Sequence, residues 1–94
     1  MEQPGPAITF IDFILSLART TAVHFGDIEE PETGQRLPPN LPAAAQMVEI
    51  IAMLQERTRG NLTEPEERLM DDLLYELRMR YVQAQQDDRR IVEP

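Results

Sequence analysis

Asn61-Leu-Thr-Glu-Pro-Glu-Glu-Arg-Leu-Met-Asp-Asp-Leu-Leu-Tyr-Glu-Leu-Arg-Met-Arg-Tyr81 is the stretch in which the start, register and polarity of a helix can all be read. Thr63 is the expected N-cap, and Glu66 three residues on completes a capping box, so each satisfies a backbone N–H that the first turn leaves unpaired. Pro65 suits the first turn because its missing N–H has no helical partner there, while Glu64, Glu66 and Glu67 put negative charge at the positive end of the helix dipole. Leu69, Met70, Leu73, Leu74, Leu77 and Tyr81 then recur at helical spacing as an inner stripe. Beyond Val82 the chain reads Gln-Ala-Gln-Gln-Asp-Asp-Arg-Arg, polar all round, so the helix is expected to fray and to end near residue 84.

Upstream, Gly60-Asn61 is a turn, and the short link to the preceding apolar run predicts an antiparallel helical hairpin. That preceding helix is expected over about 41–59, with Pro42 in its first turn and Ala44, Met47, Val48, Ile51 and Leu54 facing inward. Ala43, Ala44, Ala45 and Ala52 allow a neighbouring helix to approach closely. A further helix is predicted over about 9–25, capped by Thr9 and Asp12 and ended by Gly26. Its apolar residues cover about 200° of its circumference, whereas an outer helix needs little more than about 100°. This first helix is therefore expected to be central or shared with a second subunit. Phe10, Phe13, Ile14 and Leu17 are assigned to packing within the chain, and Ile11, Leu15 and Ala22 to a far flank that a second copy would cover.

The fold class expected is all-α: three helices, the second and third an antiparallel hairpin packed with the first, completed as a dimeric bundle. Residues 1–8 read as a loose arm, 9–84 as one domain and 85–94 as a polar tail. Residues 26–41 are a long loop carrying Pro31, Gly34, Pro38 and Pro39 among acids. Asp27, Glu29, Glu30 and Glu32 match no calcium-loop spacing, so they are read as solvated acids.

With 94 residues the chain supports one domain that buries about 60% of its unfolded surface. Its 9 basic and 17 acidic residues give a net charge of −8, and every base is Arg. Acid exceeds base in both halves, a balance that repels phosphate backbones and anionic membranes, so neither nucleic acid nor membrane is an expected partner. There is no Cys, which suits a reducing compartment. The apolar run from Ile8 to Val23 is interrupted by Asp12 and Arg19 and falls short of a membrane span.

Catalytic chemistry finds no foothold. His24 is the one imidazole, no thiol exists, Thr21 stands where a di-iron Glu-x-x-His motif needs its Glu, and no glycine-rich phosphate loop is present. No catalytic, metal or cofactor-binding residue is assigned, no cofactor is expected, and the chain reads as a non-enzyme.

A second pattern lies on the third helix. Tyr75, Met79 and Val82, at i, i+4 and i+7, align on the side away from Leu73 and Leu77 and form an alternative surface for a protein partner. Glu64 with Arg68 and Glu76 with Arg80 are expected i,i+4 ion pairs.

The opening Phe10-Ile-Asp-Phe13-Ile-Leu-Ser16-Leu17-Ala18, the loop Pro31-Glu-Thr-Gly34, the turn Arg57-Thr-Arg-Gly60-Asn61-Leu62-Thr63 and the ending Leu73-Leu74-Tyr75-Glu-Leu77-Arg78-Met-Arg-Tyr81 together resemble a family of short bacterial proteins classed as a domain of unknown function. The likeness covers about residues 9–82. It implies a bacterial, cytoplasmic protein and brings no activity, cofactor or catalytic residue with it. The functional expectation is an acidic helical interaction or assembly module that forms a homodimer. The alternative is a monomeric adaptor using the outer face of the third helix, and an acidic nucleic-acid mimic or an enzyme with a borrowed cofactor stands behind both.

Overall fold

The computed structural model describes residues 7–92, with side chains as far as Asp88. Most of the expected N-terminal arm, residues 1–6, lies outside the described residues, as does the end of the tail, 93–94. Three helices and no strand make up the described chain: α1 (Phe10–Phe25), α2 (Leu41–Arg57) and α3 (Glu64–Val92).

Each start follows from local chemistry. The Thr9 hydroxyl accepts from Asp12 N–H at 3.0 Å, and the Asp12 carboxylate accepts from Thr9 N–H. Asn40 accepts from Ala43 N–H at 3.1 Å, with Pro42 in the first turn of α2. The predicted box opens α3, with Glu66 accepting from Thr63 N–H at 2.8 Å and Thr63 accepting from Glu66 N–H at 3.3 Å. Helix α1 stops at Gly26, whose φ of 81° is left-handed, and Asp27 N–H reaches back to Ala22 C=O at 2.9 Å. A Cβ on Gly26 would also lie 3.1 Å from the Leu37 carbonyl oxygen. Glycine is required there twice over, by conformation and by space.

The core has two levels, and each takes a residue from every helix. Ile14, Ile51, Met70 and Leu74 form the first; Phe25, Ala44 and Ala84 form the second, and Leu77 packs against both. Passing from the first level to the second runs forward along α1 and α3 and backward along α2. The helices therefore run up, down and up, with α2 and α3 as the expected antiparallel hairpin.

Four expectations need correction. Helix α2, not α1, is the middle element, because it packs more extensively on each neighbour than α1 and α3 do on each other. Phe13, assigned to the intrachain core, is 44% exposed. Helix α3 does not end near residue 84 but runs to Val92. Ala84, buried with Phe25 and Ala44, gives the start of the polar-looking segment an inner face one methyl wide. Finally, neither expected i,i+4 ion pair forms among the described residues. Arg80 turns away from Glu76 and binds Asp27 with two hydrogen bonds of 2.8 Å.

The long loop is a closed structure. Asn40 N–H donates to His24 C=O at 2.7 Å, so the two ends of the 25–39 segment meet, as in a compact Ω-type loop. Gly34 N–H to Glu30 C=O and Glu30 N–H to Gln35 C=O form an inner turn, and the segment lies beside Val23, which is buried though it points away from the α2 side of α1. Thr21 is the one buried polar residue described, and its hydroxyl donates to Leu17 C=O at 2.7 Å.

Candidate functional site

Exposed apolar side chains occur on α1 and on α3, the two helices from which residues were singled out in the sequence, and also at Leu37 of the loop and Met53 of α2. On α1, Ile11, Leu15 and Ala22 share one flank by helical spacing. Leu15 is 47% exposed, while Ile11 and Ala22 are half-buried. Phe13, two residues from Leu15 and therefore about 200° around the helix, is uncovered on the other flank. Ile8 is 83% exposed beside the start of α1.

On α3, Tyr75, Met79 and Val82 are 64%, 53% and 48% exposed. They line a shallow cleft of about 240 Å3 with Leu74, Arg78, Gln55 and Asp71. A second cleft of similar size is lined by Ala45, Val48 and Glu49 of α2 with Arg78, Tyr81 and Val82. Arg78 and Val82 border both, so the two clefts adjoin along the groove between α2 and α3. Toward the α2–α3 turn, Gln55 donates to Asp71 at 2.8 Å and ties the two helices together.

Sequence reasoning found the α3 wall of this groove and missed the α2 wall. Ala45 carried a partial signal as one of the small residues that permit close approach. Val48 carried none, because a residue read as inward can also border a groove. Arg78 escaped notice although it lies at i+3 from Tyr75 and i−4 from Val82.

Elsewhere, the Asp27–Arg80 pair joins the loop to α3. The Arg80 hydrogen bonds hold the Asp27 carboxyl below its ordinary range, with burial opposing and the Arg80 and Arg36 charges assisting. The same contact raises Arg80, whose guanidinium carbon lies 5.2 Å from the centre of the Phe25 ring. The widest cleft, lined by Pro38, Pro39, Leu41, Arg80, Ala84 and Asp87 among others, opens beside this pair. Its aromatic floor, Phe25, is 2% exposed and offers a ligand almost no surface. Among the described residues no three metal-binding side chains cluster, and no helix is long and apolar enough to cross a membrane.

No curated protein and no solved structure matches the chain. A family model does, over residues 7–83 of the 94. That span takes in both core levels up to Tyr81, the closed loop and the exposed apolar side chains of α1 and α3, and by it the chain belongs to the DUF1844 family, a domain of unknown function.

Proposed function

We propose that this protein is a small acidic assembly module that forms a homodimer through α1. The observation that carries the reading is the apolar flank α1 retains although it is an outer helix: Leu15 is 47% exposed with the rest of the chain in place. With α2 in the middle, the chain itself covers Ile11 and Ala22 only in part and leaves Leu15 about half open. A second copy would cover the remainder.

Magnitudes predict a weak and reversible dimer. Full burial of a Leu, Ile or Phe contributes about 1.5–3 kcal/mol, and about half of that remains to be gained at Leu15. Counted on two subunits, Leu15 with the remainder of Ile11 approaches only the low end of the roughly 4–15 kcal/mol that association costs. The contact must therefore extend to Ile8 to be populated at micromolar concentration, since Phe13 lies about 200° around the helix from Leu15. Sedimentation equilibrium tests it directly, with Leu15→Glu expected to return the mass to one chain. A single-chain mass for the unaltered protein at about 100 μM, where even a weak dimer is populated, overturns the reading.

A second reading is favoured by a different observation. Tyr75, Met79 and Val82 are more exposed than the α1 flank and open onto a formed groove. In that reading the hairpin binds another protein, whether or not α1 self-associates.

A further inference from the structure

We propose that the groove between α2 and α3 receives one amphipathic helix of another protein, with basic residues flanking its apolar edge. This rests on the second reading above and adds to it the shape and charge of the partner.

Shape comes first. Two antiparallel helices leave a furrow between them, and a helix laid along such a furrow extends a bundle by ordinary side-chain packing. From Tyr75 to Val82 the apolar wall rises about 10 Å along α3, and from Ala45 to Gln55 the facing wall rises about 15 Å along α2. Three turns of helix fit that length. Tyr75, Met79 and Val82 at i, i+4 and i+7 present the spacing that a partner helix reads with its own i, i+3, i+4 and i+7 positions. Met79 is unbranched and adapts to the facing side chain, and Tyr75 offers a ring with a polar tip.

Charge selects the occupant. Asp71 and Glu49 line the groove with Arg78 as its one base among the described residues; Asp72 and Glu76 are exposed farther round α3, and Arg68, seven residues before Tyr75, is exposed on the same face as Tyr75. The chain as a whole carries −8. A second copy would set these acids against their equivalents, and nucleic acid or an anionic membrane would be repelled. Lysines or arginines beside the apolar edge of a helix meet the acids instead, which raises the encounter rate and makes binding sensitive to salt.

The test uses the full chain carrying Leu15→Glu, so that association through α1 does not enter. The probe is a synthetic amphipathic peptide of about 16 residues with leucines at helical spacing and lysines on the flanks, long enough to form helix on binding. Its control replaces every lysine by glutamate. Affinity is read by fluorescence anisotropy at low and high salt, and location by the methyl resonances of Met79 and Val82. The lysine peptide is expected to bind at least about ten-fold tighter than the control, to lose affinity with added salt, and to shift both methyls. Tyr75→Ala with Met79→Ala, both at exposed positions, is expected to weaken it by a further ten-fold or more while circular dichroism stays unchanged. Equal affinity for the two peptides, with the methyls shifting and the double variant weakening both, overturns the basic partner and leaves the second reading standing. Affinity indifferent to the double variant, or no methyl shift, overturns both. A loss of self-association caused by Tyr75→Ala and Met79→Ala in the unaltered background identifies a second copy as the occupant, and also overturns the proposal.

Discussion

The two levels of the core join the same three helices by opposite means. At the first, aliphatic side chains of similar size, Ile14, Ile51, Met70 and Leu74, fill the space between the helices. At the second, the buried residues are one ring, Phe25, and two alanines, Ala44 and Ala84, with Leu41, Leu77 and Tyr81 packed against them and Arg80 over the ring face. The first level tolerates some exchange of volume, because aliphatic side chains repack. The second sets a large buried group beside two small ones, so a change of size at any of the three is felt strongly. Phe25 is also the last residue of α1, so the second level lies where the loop leaves the helix that Gly26 ends.

Phe25→Ala should produce the largest loss, about 3–5 kcal/mol, by emptying the centre of the second level. Ile51→Val at the first level should cost only about 0.5–1.5 kcal/mol, because a single methylene is removed from an aliphatic cluster that can close around it. Urea unfolding of both variants breaks the comparison if the order is reversed. Ala44→Leu should cost about 1–3 kcal/mol by forcing a larger side chain against Phe25. Amide exchange should localise that damage to the residues around Ala84, and uniform loss of protection would mean that the two levels do not respond separately. Thr63→Ala should cost about 1 kcal/mol through the lost cap, with helix content unchanged, since the box at the start of α3 lies away from either level.

The smallest effect belongs to the pair beside the second level. Asp27 and Arg80 are 39% and 30% exposed as side chains, and a pair so accessible contributes about 0.2–1 kcal/mol. Since the folded Asp27 carboxyl titrates below the ordinary value of about 3.9, its contribution is complete above that pH and disappears as pH falls through the lower folded value. Asp27→Asn should therefore match the unaltered chain in stability near pH 2 and fall below it at pH 6. Thermal unfolding at the two pH values measures this, and equal stability at both would remove the pair from the account of the second level.

The helix starts were legible in the sequence because caps are local. Thr9 with Asp12, Pro42 in the first turn of α2, Thr63 with Glu66, and Gly26 at the end of α1 each act within four residues, whereas the Asn40 cap was not foreseen. The first core level was legible because Ile14, Ile51, Met70 and Leu74 are large and recur at helical spacing. The α3 stripe was visible for the same reason. The second level was only partly visible: Ala44 was read as facing inward, but Ala84 becomes core only when a ring from another helix arrives beside it, and a lone alanine among glutamines carries no periodic signal. Exposure of Phe13 and the choice of Asp27 over Glu76 by Arg80 depend likewise on which neighbour is present. Composition and spacing thus determined three helices, their hairpin and their acidity; the order of packing, the closed loop and the α2 wall of the groove were decided only by contacts between residues far apart in the chain, which no local pattern encodes.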